Sequence, residues 1–462
     1  MLLDFLKIET FVGYIYVPLF DFIAKVFSLP NEFSLTKLKE PQDKMSSQLY
    51  GSPRMNSGPG SVQEQIRSAG KRITSSHKEF LGSDAKFPMN SLRRVIDTKS
   101  STERERFIHS TFPKICNLAQ DIGSVNQLIS ELVVGSSVAI RRIDIARILA
   151  NAFLCTFEDG SNINFSYLYN SATARNPGVQ KEKLLCLIHY FESVLDEKFV
   201  QDNERVFFKK ESIENFNIDG FYNKKLRSLQ LERGSIFDAH NTFAQVIFSN
   251  KYLGGGVLGN GCLQEEICFL TCPELLVLKL LCPNPLKENE VVIVKDALQF
   301  VKTSGYAENM KFEKAVKNAI GPIILMDAID FSKDPIAQWE ERYVSRELKK
   351  AFLGFSRAGS EKLASGFWGC GAFKGDPWLK LAIQWIAASA ASKDLVIHHI
   401  GDRVDAQRII SDLEKLKGKE IKQLIDLIRG GRYSTQTRSL ATPIATQSKI
   451  HQSNRAQYSN YY

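Results

Sequence analysis

Residues Gly254 to Glu266 read GGGVLGNGCLQEE: three consecutive glycines, a short spacer, then Gln264 and the adjacent acids Glu265 and Glu266. Without Cβ atoms, backbone at Gly254, Gly255 and Gly256 can turn sharply and aim N–H groups at anionic oxygens. The apolar run FAQVIF ahead of it reads as a strand. A helix is expected to begin near Gly261 to Gln264, its positive end facing the same way. A tight structural turn uses the same residue types, and the triplet alone does not separate the two. Neighbours on a helix point about 100° apart. Glu265 and Glu266 therefore cannot oppose each other across a sugar ring, as the two carboxyls of a typical glycosidase do. One can reach a reacting bond while the other holds a neighbouring hydroxyl. A helix N-terminus favours the ionised carboxylate, whereas a bound diphosphate and partial burial favour the protonated form that can donate a proton. Dipole complementation on an exposed turn is the plain alternative, and a place directly behind a glycine loop weighs against it.

A second loop, SGFWGCGAFKGDPW, holds Gly366, Gly369, Gly371 and Gly375 and then Asp376-Pro377. Asp at an N-cap followed by Pro at the first helical position is a strong helix start. Two glycine loops running into helix N-termini above one sheet can clamp a diphosphate from both sides. A nicotinamide oxidoreductase competes, because Gly254-x-Gly256-x-x-Gly259 has dinucleotide-binding spacing. The acid for the ribose should then end a second strand about 20 residues on. That position is Glu274, inside the helical stretch CPELLVLKLL. The fingerprint fails its context.

These loops need a scaffold, and the 462 residues supply one. Apolar residues at 44% and charged residues at 24% are ordinary globular composition. A net charge of +9 suits an anionic partner but is also common among soluble proteins. Residues 1–40 read as an amphipathic segment. Charges interrupt their apolar runs, and Thr10 to Phe20 is too short to span a bilayer. Residues 41–102 are rich in Ser, Gly, Pro, Gln and basic residues and read as a low-complexity linker. Apolar spacing of 3.6 residues in TFPKICNLAQDI, IDIARILANAFLCTF and KLLCLIHYFESVL marks 103–230 as a helical accessory region. Over 231–432 short apolar runs (FAQVIF, EVVIV, PIILMDAI, DLVIHHI) alternate with helical stretches, which is the pattern of an α/β fold with a largely buried sheet. Residues 433–462 read as a disordered tail. The eight cysteines are scattered, without disulfide or zinc-ligand spacing, and read as reduced thiols. His398 and His399 should face opposite sides of a strand and cannot chelate one metal. Trp378 and Trp385, seven apart on one helix face, read as core rather than as a stacking platform.

The segment GGGVLGNGCLQEE resembles the poly(ADP-ribose) glycohydrolases. The likeness continues through FPKIC, LANAFLCTF and INFSYLY upstream, then CPELL, SGYAE, MDAIDF, RELKKAFLGF, WGCGAFKGD and IGD downstream, covering about Thr111 to Asp402. What the resemblance implies is a macrodomain-like mixed sheet flanked by helices, with an N-terminal helical accessory region. The implied reaction is hydrolysis of ribose–ribose O-glycosidic bonds in poly(ADP-ribose), releasing ADP-ribose with no metal or cofactor. Glu266 would donate the proton to the leaving ribose oxygen and then activate water. Glu265 would bind ribose hydroxyls. Gly254–Gly256 and Gly371-Ala372-Phe373 would hold the diphosphate, and Asn250 and Gln264 would position the same unit. Ile236, Phe237 and Met310 would meet the adenosine, and Phe367, Trp368, Gly369 and Cys370 would complete the substrate site.

Five positions depart from the family pattern. Ile247 and Phe237 stand where acids are expected, Phe367 replaces an Asn, and Met310 and Ile400 replace aromatics. A macrodomain that binds ADP-ribose but hydrolyses little is therefore the second reading. The expected partner is poly(ADP-ribose) on modified proteins. No nucleic-acid specificity or membrane span is expected, and the expected state is a monomer in the nucleus or cytoplasm.

Overall fold

The computed structural model describes residues 61–71, 90–125, 129–158, 161–169, 177–196, 204–400 and 404–430. The segment expected over 1–40 and the tail expected over 433–462 lie outside them, as does most of the linker expected over 41–102. Two helices nonetheless fall in that last range, α1 (Val62–Lys71) and α2 (Asn90–Asp97). Val62, Ile66 and Ala69 are buried along α1, and Leu92, Val95 and Ile96 along α2. Polar residues between them masked an apolar stripe one side wide, which suffices to dock a short helix.

Next comes α3 (Ser101–Arg106), which buries no residue and which periodicity did not announce, and then the helices that it did: α4 (Phe112–Gln120), α5 (Arg142–Phe153) and α6 (Pro177–Val194). Between and after them come two strands that the helical periodicity did not announce, β1 (Ser137–Arg141) and β2 (Arg205–Ser212). Along β2, RVFFKKES begins exposed, buried, exposed, buried. That alternation is the mark of a half-solvated strand, and it is too short to stand out beside long helical runs. The region expected to be helical thus supplies part of the sheet.

The remaining strands are β3 (Leu229–Arg233), β4 (Phe243–Ser249), β5 (Glu290–Lys295), β6 (Leu298–Ser304), β7 (Lys311–Ala319), β8 (Ile323–Asp327), β9 (Lys362–Ser365) and β10 (Asp394–His399). Eight strands form one sheet in the order β1-β2-β5-β8-β4-β9-β10-β3, and β6 pairs with β7 apart from it. β8, β4, β9, β10 and β3 run parallel, while β1, β2, β5 and β8 pair antiparallel. Such a sheet is mixed and covered on both faces. Ile323 and Leu325 of β8 enter one core, and Ile324 and Met326 enter the other, as a period of two demands. The first core joins the sheet to α4, α5, α6 and α7 (Gln264–Thr271). The second joins it to α8 (Glu341–Arg357), α9 (Pro377–Ala390), α10 (Val404–Glu414) and α11 (Ile421–Arg429). Trp378 and Trp385 are buried on α9 in that second core, as their spacing suggested. No described helix is long and apolar enough to cross a membrane.

One buried ion pair fastens the helices to the sheet. Arg142, at the start of α5, donates to Glu274 (2.5 Å), to Glu204 (2.9 Å) and to the Asp296 carbonyl. Glu274 is fully buried and takes the Leu298 N–H on its other oxygen (2.9 Å). Burial pushes its carboxyl above the ordinary range and Arg142 pulls it back. Arg142→Met strands this carboxylate, so unfolding in urea should show a loss of about 3–5 kcal/mol. Adding Glu274→Leu should recover most of it.

Candidate active site

β4 delivers the chain to Asn250, and the glycines then fold it over the start of α7. Gly254 and Gly255 have φ of +81° and +43°, in the left-handed region. A Cβ on Gly255 would sit 2.4 Å from Glu266 Oε1 and 2.9 Å from Glu265 Oε2. Bare backbone is what lets the loop close on the acids. Glu265 accepts the N–H of Asn250 (2.8 Å) and Gly254 (2.7 Å), one on each oxygen. Glu266 accepts those of Gly256 (3.1 Å) and Leu263 (2.9 Å) in the same manner. The two residues are only 4% and 6% exposed, yet both line a cavity of about 210 Å³. Burial, and then the charge of Glu266, push the Glu265 carboxyl well above the usual carboxylate range, while its two backbone donors and Lys279 pull it down.

This arrangement departs from the expectation that Gly254–Gly256 hold a diphosphate. The Gly255 N–H returns to the Tyr252 carbonyl (3.1 Å), so all three glycine N–H groups are spent inside the protein. The loop holds the acids. Gln264 is likewise committed: its Oε1 accepts the Phe248 N–H (2.8 Å) and its Nε2 donates to the Val246 carbonyl (3.1 Å). β4 pairs with β9 over Phe243–Gln245 and no further. The Gln264 amide then takes over the open backbone edge and pins α7 to the sheet.

The second loop differs. Asp376 caps α9 through the Leu379 N–H (2.9 Å). Trp368 is fully buried and donates to the Met326 carbonyl (3.2 Å). Among the described residues the N–H groups of Gly371, Ala372 and Phe373 have no protein acceptor. All three residues line the cavity, which suits an anion. Beneath them Lys380 pairs with Glu347 and lies 4.6 Å from the Trp368 ring centroid. Glu347 also takes Arg346 (2.8 Å), and Arg346 and Lys350 both pair with Asp327. Three cations thus face two carboxylates under the loop.

Of the residues singled out from sequence, Asn250, Gln264, Glu265, Glu266, Ile236, Phe367, Gly369, Gly371, Ala372 and Phe373 line the cavity together. Gly254, Gly255 and Gly256 sit behind the acids. Trp368 lies under the second loop, and Cys370 is half-buried with its thiol toward the Trp368 carbonyl (3.6 Å). Met310, expected to cover an adenosine, is buried in the first core, and Phe237 packs at that core's margin. Tyr306, four residues earlier, lines the cavity and Met310 does not. Ile247 is also in the first core, so its replacement of an acid does not reach the cavity lining. Both His398 and His399 line the cavity, where alternation would have sent one away. They close β10, where the ladder ends and the chain turns. The Ser249 hydroxyl, His398 Nε2 and His399 Nδ1 have no hydrogen-bond partner among the described residues. Sequence reasoning also missed two lysines. Lys279 donates to the Gly255 carbonyl (3.1 Å) beside the acids, and burial holds it below the usual lysine range. Lys183 reaches the glycine loop from α6. Each stands in a run that reads simply as a buried helix.

Two family models match, described as "Poly (ADP-ribose) glycohydrolase (PARG), helical domain" over residues 99–213 and "Poly (ADP-ribose) glycohydrolase (PARG), Macro domain fold" over residues 220–407. Together they take in well over half of the chain. The chain belongs to the poly(ADP-ribose) glycohydrolase family. Poly(ADP-ribose) glycohydrolase 1 of Caenorhabditis elegans is 32% identical over an alignment of 268 positions that covers 52% of this chain and 34% of that protein. Poly(ADP-ribose) glycohydrolase 1 of Arabidopsis thaliana is 26% identical over an alignment of 353 positions that covers 55% of this chain and 62% of that one. The chain thus matches about a third to three-fifths of the length of these curated relatives. Among solved structures, poly(ADP-ribose) glycohydrolase from Deinococcus radiodurans in complex with ADP-ribose aligns at 14% identity and a TM-score of 0.32. That alignment covers 43% of this chain and 87% of the other. The macrodomain-like sheet and N-terminal helical layer expected from the sequence are those of the family.

The contact between Gly255 and the acids can be measured. A non-glycine residue in left-handed backbone costs about 1–3 kcal/mol. Gly359 has φ of +83°, and a Cβ there meets only the flexible end of Lys295 at 3.4 Å. Gly359→Ala should show the backbone cost alone. Gly255→Ala should cost about 1 kcal/mol or more beyond it, because two buried carboxyls must shift. Parallel denaturant titrations compare them.

Proposed function

We propose that the chain hydrolyses ribose–ribose O-glycosidic bonds of poly(ADP-ribose) and releases ADP-ribose. The observation that carries this reading is the pair of glutamates, each held by two backbone N–H groups, in one cavity with three unengaged N–H groups of a second glycine loop. Gly371, Ala372 and Phe373 cradle the diphosphate, with the cations beneath them adding attraction. Burial and the neighbouring carboxylate hold the Glu265 carboxyl well above the usual carboxylate range, so the site keeps a proton to give. Glu266 gives that proton to the departing ribose oxygen as the glycosidic bond breaks. It then takes a proton from the water that attacks the anomeric carbon. Glu265 accepts hydrogen bonds from ribose hydroxyls and stabilises the positive charge developing on the sugar.

The family supports this reading, as do the names of the curated relatives. The substrate is polymer attached to modified proteins, and the chain works as a monomer. None of its eight cysteines is in a disulfide and seven are buried, which favours a reducing compartment such as the nucleus or cytoplasm. The competing nicotinamide reading lacks its ribose-binding acid at the end of a second strand, because Glu274 lies in a helical turn paired with Arg142.

Labelled poly(ADP-ribose) incubated with the native chain should yield free ADP-ribose. Glu266→Gln should lower that rate by about 10²- to 10⁴-fold, the worth of a general acid. Binding of ADP-ribose, measured by calorimetry, should survive the substitution. Native protein that binds ADP-ribose and releases none from polymer would establish the binding-module reading instead.

A further inference from the structure

Lys183 belongs to α6, in the helical layer, yet its side chain ends inside the catalytic loop. Its ammonium donates to the carbonyls of Val257 (3.0 Å), Gly259 (2.7 Å) and Gly261, and Gln180 one turn earlier donates to Gly259 (3.1 Å). The residue is fully buried at 0% exposure. An ammonium has three N–H donors, and each here has its own carbonyl. Those carbonyls belong to the stretch between Gly256 and Leu263. These two residues supply both backbone donors to Glu266.

We infer that Lys183 is a positioning residue: by holding three carbonyls of residues 257–261, it makes the Gly256 and Leu263 N–H groups converge on Glu266. The helical layer thereby completes the catalytic pair without touching substrate. This inference rests on the reading of Glu266 as the proton donor. A buried lysine that merely fills space would leave the loop's order and the acid's performance unchanged.

The clamp needs the charged amine. Glu266 from α7 faces the ammonium and favours its charge, whereas the neighbouring Cys262 and Cys186, whose thiols burial pushes up, stay neutral beside it. Burial outweighs Glu266 and lowers Lys183 from 10.5 to about 8. A lowered lysine is charged below that value and neutral above it. Above about pH 8 the amine keeps two donors and turns a lone pair toward a carbonyl, so the clamp loosens as pH rises.

Amide hydrogen exchange over residues 254–266 and ADP-ribose release from polymer should be followed in the native protein, Lys183→Met and Lys183→Arg. In folded Lys183→Met, exchange at Gly256 and Leu263 should quicken by about tenfold or more. Release should fall by about 10²-fold, the cost of a misplaced catalytic group, with ADP-ribose affinity unchanged. Native release should decline above about pH 8, and Lys183→Arg, whose guanidinium stays charged, should move that decline upward. Unchanged exchange in a folded Lys183→Met variant, or the same alkaline decline in Lys183→Arg, overturns the inference. Should Lys183→Met not fold, exchange of the native protein at pH 7 and 9.5 (corrected for intrinsic rates) decides. Lost protection at Gly256 and Leu263 supports the clamp, and constant protection overturns it. A native protein that releases no ADP-ribose sinks the catalytic reading, while the exchange arm still judges Lys183.

Discussion

Two adjacent carboxyls can sit out of water only if something replaces the water, and here that is main chain. Four N–H groups, from Asn250, Gly254, Gly256 and Leu263, stand on the four oxygens of Glu265 and Glu266. Fixed donors of this kind cost no reorganisation when charge moves during a reaction. The constraint propagates outward. The loop must be glycine where it meets the acids, Gln264 must tie the helix to β4, and Lys279 and Lys183 must occupy the loop's carbonyls. Each is a response to the same demand that no buried polar group go unpaired.

The two glycine loops look alike in sequence and act differently. The first turns its donors inward to the acids, whereas the second leaves Gly371, Ala372 and Phe373 open to the cavity. What distinguishes them is their footing. The second rests on Trp368 and on a buried set of charges in which Lys380, Arg346 and Lys350 face Glu347 and Asp327. Such a set is costly to bury and gains little stability in itself. An excess of positive charge under an anion-accepting loop gives it a use.

Much of the architecture was legible. Strands rich in Val and Ile lie in both cores, so FAQVIF, EVVIV, PIILMDAI and DLVIHHI stand out as unbroken apolar runs, and Asp376-Pro377 announces α9. β1 and β2 were not legible: β1 is a five-residue edge strand, and β2, although paired on both sides, mixes charged with apolar residues, so neither forms an unbroken apolar run. The acids and loops of the site were legible because their chemistry is local in sequence. The lysines were not. Lys183 is 83 residues from Glu266, and its neighbours in KLLCLIHYF spell an ordinary buried helix. The fate of the glycine N–H groups was hidden as well, since residue types cannot say whether a donor faces a ligand or the next turn of its own chain. Tyr306 lines the cavity and Met310 does not for a related reason: four residues apart across a short turn, only tertiary packing decides which ring or thioether meets it.

The passage of β1 and β2 into the sheet also bears on how the molecule can be divided. A cut between residues 213 and 220, where one family model stops and the next starts, would sever both strands from the body they cover. The excised C-terminal piece would then bare the hydrogen-bonding flank of β5, a run of Val and Ile open to pairing with its own kind. The helical half is therefore not an appendage that can be trimmed for convenience: it is the selvedge that keeps the fabric from joining to another copy.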